Sequence, residues 1–157
     1  MPGDPHVLIC YDSSDHAAHA IARAAELVTP GPAIVLYAWQ PIAVVIARSG
    51  FGALASRTIP PDDEPAEEDE AKAVADAGAE LARAAGFAAE PRQVSTTDSI
   101  GQAILDVAAA LPASLVVMGS RGLTGLRSLL LGSVSHEVVT HSRIPVLVVP
   151  AERHEAD

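Results

Sequence analysis

The sequence predicts an α/β fold in which a single doubly wound sheet of five mainly parallel strands carries helices on both faces. Short apolar runs alternate with helical segments along the chain, in the order β-α-β-α-β-α-β-α-β. The predicted strands are apolar throughout, as expected when both faces of a sheet are covered. With 157 residues the chain has the length of one domain. We therefore expect a single domain over residues 1–157, with its core between about 6 and 150.

The first strand and the first helix follow from the opening residues. The segment "HVLICYD" (6–12) is a short apolar run rich in strand-forming residues. Over 13–28, apolar side chains recur on one helical stripe, and Ser13 or Ser14 is available as the N-cap. The residues of that stripe are Ala17, Ile21, Ala24 and Val28.

A second strand is predicted for "AIVLYAWQP" (33–41), after a "PGP" break that ends the first helix. Residues 42–65 match no regular pattern, although "IAVVIA" within them is apolar. We expect a flexible segment here. Because connections of this length are often functional, we predict that a bound nucleotide orders it as a lid.

The next helix is expected over about 66–86, where acidic first turns suit the positive end of the helix dipole. Its predicted buried stripe consists of Val74, Gly78, Leu81 and Ala85. The weaker strand "AAEPRQVST" (88–96) is expected at an edge of the sheet, because Pro91 has no N–H to donate to a neighbouring strand.

The remaining elements complete the alternation. Ser99 and Gln102 form a capping box for a helix over 99–111. Its predicted buried residues are Ile100, Ile104, Val107 and Leu111. A strand at 113–119, a helix at 132–142 and a strand at 144–150 follow. The last strand is apolar and expected at an edge, and exposed edges of this kind invite pairing.

Bulk composition excludes several classes of function. The formal net charge of −10 argues against a nucleic-acid surface, where basic stripes are expected. No apolar run reaches the ~18 residues of a membrane span. The first ten residues lack the basic and apolar regions of a signal peptide. A single cysteine, Cys10, cannot form an internal disulfide and is expected to be a buried structural thiol in the cytoplasm.

The junction "GSRGLTGLRSLLLGS" (119–133) is the most informative stretch, because ligands of doubly wound sheets bind outside the carboxyl ends of the strands. Glycines such as Gly119 and Gly122 let another group approach the backbone. The helix opened by Gly132 and Ser133 offers unpaired N–H groups that favour phosphate, and Ser135 adds a hydroxyl. The alternative is that this segment is only a loop that reverses the chain, and that its serine only caps the following helix and binds no ligand.

Two other phosphate motifs do not fit. A P-loop needs a lysine before its Ser or Thr, and Leu131-Gly132-Ser133 has none. The stretch "GFGALA" (50–55) matches the relaxed dinucleotide pattern G-x-G-x-x-A, but it leads into "TIPPDDEP" and not into a helix.

The glycines are spaced as Gly119, two residues, Gly122, nine residues, then Gly132-Ser133. In this spacing the chain resembles the nucleotide-binding members of the universal stress protein family. The segments "LVVMGSRG", "GSVSHEVVTHSRIPVLVVP" and "CYDSSDHAAHAI" are also similar to family segments. The resemblance covers roughly residues 6–150 and is weakest over 42–65.

The resemblance implies that an adenine nucleotide, usually ATP with Mg²⁺, binds to a five-stranded α/β fold. By position, Asp12 would contact the adenosine half and main-chain groups of Trp39 would contact the adenine edge. Gly119 would lie beside the ribose. The phosphates would be held by Gly122, Gly132, Ser133 and the Val134 amide. The resemblance also implies a homodimer, which we expect to form through residues 145–149.

Several side chains leave alternatives open. Arg121 and Arg127 either neutralise phosphate in place of the missing lysine or lie in solvent. Tyr11 and Trp39 are larger than the usual family residues, so each ring either stacks on adenine or fills its pocket. His16 and His19 share a helix face without an evident third metal ligand, which favours a solvated face.

The expected function is that of a cytoplasmic, ATP-binding regulator of a stress response, without efficient turnover. Hydrolysis needs a group that positions water and a well-held Mg²⁺. No acidic residue near the glycine-rich junction in sequence is expected to do either well, although Asp12 could reach a metal in the fold. Two alternatives remain. One is a slow ATP hydrolase or self-phosphorylating protein, and the other is a nucleotide-free dimeric signalling module.

Overall fold

The computed structural model describes residues 6–50, 64–122 and 131–152. Within these residues, five parallel strands form one sheet in the order β3-β2-β1-β4-β5. The strands are β1 (His6–Cys10), β2 (Pro32–Trp39), β3 (Ala88–Ser95), β4 (Ala113–Gly119) and β5 (Val146–Val149). The predicted α/β fold is confirmed, and β3 and β5 lie at the two edges as expected.

Helices cover both faces of the sheet. They are α1 (Asp15–Leu27), α2 (Ile42–Arg48), α3 (Glu64–Ala84), α4 (Ile100–Ala110) and α5 (Ser133–His141). One core lies between the sheet and helices α1 and α3, around Ile9, Ile21 and Val35. The second core lies between the sheet and helices α4 and α5, around Leu8, Ile104 and Val138.

The strand order places the chain reversal between β1 and β4. The chain runs outward from β1 through β2 to β3, then crosses back to β4 and continues outward to β5. Ile9 pairs with Val117, so the carboxyl ends of β1 and β4 lie side by side. Ligands of doubly wound sheets bind at this kind of switch point.

The expectation that residues 42–65 lack regular structure is wrong for their first part, because residues 42–48 form α2. The amides of Val44 and Val45 donate to the Pro41 carbonyl, and Ser49 ends the helix by donating to Ile46 and Val45. The apolar residues of α2 are nearly consecutive, so they show no helical period that a sequence pattern could detect. Residues 51–63 lie outside the described part of the chain.

The predicted buried stripe of α3 is also partly wrong, because Leu81 is 42% exposed. The buried residues of this helix are instead small ones, namely Ala71, Ala75, Gly78, Ala79 and Ala82. Small side chains let α3 lie close against the sheet, and Leu81 falls just outside that stripe. Val74 and Ala85 are partly buried.

Two serines cap helices as expected. Ser14, and not Ser13, is the N-cap of α1, where its hydroxyl accepts a hydrogen bond from the Ala17 amide. Ser99 caps α4 by accepting from the Gln102 amide. Only half of the predicted capping box forms, because the Gln102 side chain donates from Nε2 to Asp106 Oδ1 at 2.8 Å and accepts no hydrogen bond from the Ser99 amide.

Candidate functional site

A cavity of about 670 Å³ opens at the carboxyl ends of β1, β2 and β4. This volume is typical of small-molecule sites, which range over roughly 300–1,000 Å³. Every site residue predicted from the sequence lies in its lining, namely Asp12, Trp39, Gly119, Arg121, Gly122, Gly132, Ser133, Val134 and Ser135. The structure therefore brings these residues together. What they bind stays a prediction.

The cavity has two ends of different character. We call the side formed by residues 119–122 and 132–135 the glycine end. We call the side formed by residues 37–40, Ile42 and Val45 of α2, and Glu67 and Glu70 of α3 the α2 end. Asp12, at the end of β1, lies between the two.

The turn after β1 holds the Asp12 carboxylate in one orientation. Asp12 Oδ1 accepts hydrogen bonds from the Ser14 amide at 3.0 Å and from the Ser14 hydroxyl. Ser13 adopts a φ of 66° to make this turn, a conformation that costs a non-glycine residue about 1–2 kcal/mol. Backbone strain of this kind clusters at functional sites.

The glycines of the glycine end differ in how much room the protein leaves for a side chain. A Cβ at Gly122 would lie 2.7 Å from Asp12 Oδ2, and a Cβ at Gly119 would lie 3.3 Å from the His16 carbonyl oxygen. Both positions are therefore tight within the protein. Gly132 has an ordinary extended conformation, and its Cβ would make a normal contact of 3.4 Å with the Ser120 carbonyl oxygen. The fold itself does not require glycine at 132.

The N-terminus of α5 faces this end of the cavity. Gly132 is its N-cap and supplies no side-chain hydrogen bond to the first turn. The amides of residues 133–135 belong to the first turn, where helical N–H groups have no partner within the helix. Together with the helix dipole, they form a favourable environment for an anion.

The two serines of this turn differ. Ser135 is buried, and its hydroxyl lies 3.0 Å from the Gly132 carbonyl oxygen and 3.1 Å from that of Ser120. Its donor is therefore used within the protein. Ser133 is exposed at the cavity, and its hydroxyl makes no hydrogen bond to the described residues. Ser133 is the better placed of the two to donate to a ligand.

Tyr11 and Trp39 are both held by protein contacts. The Tyr11 ring packs into the core beside Gly78, where a Cβ would lie 2.5 Å from the ring. Trp39 is buried, and its indole Nε1 donates to Gln93 Oε1 of β3 at 2.6 Å. The Trp39 carbonyl accepts from the Thr96 amide at 2.9 Å, which leaves one lone pair of that oxygen for a ligand. Both residues still line the cavity.

The α2 end contains residues that sequence reasoning missed. Tyr37, Glu67 and Glu70 line the cavity, as do Ile42 and Val45 of α2. A detectable signal existed for Tyr37, since it lies two residues before Trp39 and so shares its face of β2. Ile42 and Val45 lie on α2, which the sequence pattern did not predict. Glu67 and Glu70 lie on α3, a predicted helix whose approach to this edge of the sheet no local pattern gives.

Some titratable groups around the cavity are kept neutral by a raised pKa, and others carry its formal charges. Burial, and secondarily the Asp12 carboxylate, raises the pKa of the Cys10 thiol to about 12. Burial, followed by Asp12 and Glu70, raises the pKa of Tyr37. Both groups are therefore neutral at physiological pH. The formal charges of the described lining come from carboxylates at Asp12, Glu67 and Glu70 and from the guanidinium of Arg121, while Arg127 lies outside the described residues.

Over residues 6–50, 64–122 and 131–152, no group of three or more His, Cys, Asp or Glu side chains is arranged to hold a metal ion. His19, one of the two histidines on α1 noted above, pairs with Glu152, with 3.1 Å between Nδ1 and Oε1. No described helix is both long enough and apolar enough to cross a membrane.

Comparison with known proteins gives consistent matches. The model of the universal stress protein family matches residues 5–150. A relative from Thermus aquaticus, described as a universal stress protein in the QAH/OAS sulfhydrylase 3'region, is 34% identical over 145 residues. The matched region covers 91% of this chain and 96% of the relative.

Solved structures share the fold. The universal stress protein from Archaeoglobus fulgidus in complex with dAMP is 22% identical, with a TM-score of 0.61, over 94% of this chain and 98% of that one. A universal stress protein in complex with cAMP is 24% identical, with a TM-score of 0.59, over 93% and 96% of the two chains. At these identities the likeness establishes the fold.

Proposed function

The chain belongs to the universal stress protein family, and from that premise we propose that it binds ATP in the cavity at the ends of β1, β2 and β4. The triphosphate lies at the glycine end and the adenine at the α2 end. Binding changes the surface around the cavity, and a protein partner in the cytoplasm detects that change during a stress response.

The observation that carries this proposal is the glycine at the N-cap of α5. Gly132 has a conformation that any residue adopts and room for a Cβ against the protein. A glycine that the fold does not need is explained when a ligand must approach the backbone there. The unpaired amides of the first turn make phosphate the best candidate for that ligand.

Two further observations support an adenine nucleotide. Similar folds are known in complex with dAMP and with cAMP, and both ligands are adenine nucleotides. The cavity also has the two chemical characters that a nucleotide needs, with amides at one end and apolar side chains at the other. Bound Mg²⁺ would neutralise phosphate charge, and Asp12, whose Oδ1 is already held by Ser14, would be its protein ligand.

We propose binding without efficient turnover. Hydrolysis requires a group that positions the attacking water. Among the described lining residues, the carboxylates other than Asp12 are Glu67 and Glu70, which lie at the α2 end, away from the proposed phosphates. A single-turnover assay with Mg²⁺ and radiolabelled ATP tests this point, and rapid release of phosphate or labelling of the protein would favour the enzymatic alternatives.

The direct test of the proposed function is nucleotide analysis of the purified protein, followed by calorimetric titration with ATP. We expect bound adenine nucleotide or saturable binding at one site per chain. If neither is found at millimolar ATP, the nucleotide-free signalling module is the better description.

We also propose a homodimer through residues 145–149. β5 is an edge strand that pairs with β4 alone among the described strands, and Val146, Leu147 and Val148 are only partly buried. Replacing Val146 and Val148 by aspartate should give a folded monomer in sedimentation, whereas Leu27→Asp on α1 should not change assembly. A dimer that survives the first variant places the interface elsewhere.

A further inference from the structure

We propose that Glu137 is a positioning residue, which fixes the N-terminus of α5 against the cavity through a hydrogen bond to the first turn of α4. The inference rests on the proposed function, in which the α5 amides hold the phosphates. It adds a residue that lies outside the described lining of the cavity and outside the glycine motif. Glu137 belongs to the second turn of α5, just beyond the amides of residues 133–135.

The first observation is a hydrogen bond between two helices. The Ser99 hydroxyl donates to Glu137 Oε1 at 2.6 Å, a distance typical of a hydroxyl bonded to a carboxylate. The same hydroxyl accepts from the Gln102 amide at 3.1 Å. The residue that caps α4 is therefore also bonded to α5. The Glu137 carboxylate lies at the positive end of the α4 dipole, where a negative charge is stabilised.

The second observation is that α4 leaves room for the Glu137 side chain. Gly101 is buried in the first turn of α4, and a Cβ there would lie 2.7 Å from Glu137 Cδ and 2.9 Å from Glu137 Cβ. Glycine within a helix costs about 1 kcal/mol relative to alanine, and Gly101 has no positive φ that would require it. The close approach of Glu137 explains why glycine lies at this position.

The third observation is that α5 depends on tertiary contacts for its position. Its nine residues are fewer than an isolated helix needs in water. Val138 packs in the core, and the Ser135 hydroxyl holds the start of the helix to the Ser120 carbonyl oxygen. Glu137 adds a polar contact with α4, whose first residue, Ile100, also lines the cavity. The hydrogen bond therefore joins two helices that border the same cavity.

Loss of this contact should affect the phosphates more than the nucleoside. Hydrogen bonds weaken steeply as their geometry departs from the ideal, so a small shift of α5 would weaken the bonds between its amides and phosphate. The nucleoside is held elsewhere in the cavity. A purely electrostatic role of Glu137 predicts the opposite sign, because removing a negative charge near the phosphates would strengthen ATP binding.

The test compares the dissociation constants of ATP and of adenosine, which has no phosphate, for the wild type and Glu137→Ala. Calorimetric titration measures the ATP constant, and displacement of ATP measures the adenosine constant. ATP binding should weaken about 10-fold, the equivalent of roughly one bond to a charged group, and adenosine binding less than about twofold. Glu137→Gln keeps an oxygen that accepts from Ser99 and should stay within about twofold of the wild type for both ligands.

Gly101→Ala breaks the same contact from the side of α4. The new Cβ would displace the Glu137 carboxylate from Ser99, so ATP binding should again weaken about 10-fold, although alanine favours the helix. Combined with Glu137→Ala it should add little, because changes to one shared contact are not additive.

Glu80→Ala on α3 is the matched control. It removes the same charge from an exposed glutamate outside the described lining, and it should change neither constant. Circular dichroism checks that every variant is folded.

The outcomes separate this inference from the proposed function. A wild-type protein that binds no ATP overturns both. If the wild type binds ATP, unchanged or stronger ATP binding in Glu137→Ala overturns the positioning role alone, as do equal losses for ATP and adenosine. Fully additive losses in the double variant also overturn it. An ATP-specific loss that is absent from Glu137→Gln and does not add to that of Gly101→Ala establishes the role.

Discussion

The glycine end of the cavity consists mainly of main-chain groups, whereas the α2 end consists mainly of side chains. At the glycine end, the chemistry comes from the amides of the first turn of α5, and glycines leave room around them. At the α2 end, the lining comes from Tyr37, from two apolar residues of α2 and from two glutamates of α3. Ligand access at the glycine end therefore requires residues without side chains, whereas the lining of the α2 end is made by side chains.

This difference explains why the glycine end is marked by a motif in the sequence, whereas Trp39 is the one residue of the α2 end that was predicted, through the family resemblance. A site made from backbone amides needs glycines at fixed spacing, and fixed spacing is a pattern along the chain. A site lined by side chains from several elements has no such spacing. The comparison also predicts different responses to mutation at the two ends, and four experiments test them.

The largest effect is expected for Gly132→Val, which should weaken ATP binding by at least about 100-fold. The branched side chain would occupy the space beside the α5 amides and remove two or more bonds to charged phosphate, each worth about 1.5–3 kcal/mol. Calorimetric titration of the folded variant measures this loss.

Gly31→Val is the matched control, because a Cβ at Gly31 meets nothing within 4 Å and this residue lies outside the described lining. Gly125→Ala, in the spacer outside the described residues, should also have little effect. If either control weakens binding as much as Gly132→Val does, the glycine end is not a backbone phosphate site.

A smaller loss, roughly 10- to 100-fold, is expected for Ser133→Ala. This substitution removes one hydroxyl bond to phosphate, worth about 1.5–3 kcal/mol, and leaves the amides in place. Ser135→Ala serves for comparison, since its hydroxyl is bonded to main-chain carbonyls. It should affect stability more than affinity. Equal losses of affinity in the two variants would contradict this division of roles.

In the core, where Gly78 of α3 packs against the Tyr11 ring, Gly78→Ala should lower the free energy of unfolding by about 1–2 kcal/mol. The new Cβ would lie 2.5 Å from the Tyr11 ring and 2.8 Å from Val35 Cγ1, and overpacking of this kind costs about 1–3 kcal/mol. The helix-propensity gain of about 1 kcal/mol offsets only part of that cost, because Val35 and the Tyr11 ring are buried.

Urea denaturation measures this change, with Gly132→Ala as the control. That control should cost less than about 1 kcal/mol, because the position has room for a Cβ. An unchanged unfolding free energy for Gly78→Ala would mean that the Tyr11 ring moves freely, and the core around Tyr11 would then be less rigid than its packing indicates.

The smallest effect concerns pH. The pKa of Tyr37 is raised by burial and by Asp12 and Glu70, and that of Cys10 is raised to about 12. A raised pKa keeps an acidic group neutral to higher pH, so neither group acquires a charge that repels the nucleotide. ATP affinity should therefore change less than about twofold between about pH 8 and pH 9.

Tyr37→Phe tests the tyrosine directly and should show the same flat profile over this range. A roughly tenfold loss in the wild type that is absent from Tyr37→Phe would show that the phenol ionises near neutral pH, against the expected direction.

Resemblance to the family supplied Asp12, Trp39 and Val134 as site residues. The sequence pattern by itself determined the α/β class, the order of strands and helices, the edge position of β3 and the glycine and serine lining residues between 119 and 135. These features depend on local patterns, namely apolar runs, N-cap serines and glycine spacing, which need no knowledge of neighbours in space. Only the tertiary structure decided that 42–48 form a helix, that Leu81 is exposed and that Gly78 accommodates Tyr11. Each of these depends on how closely one element approaches another. That distance is set by packing between residues far apart in the chain, and no local pattern contains it.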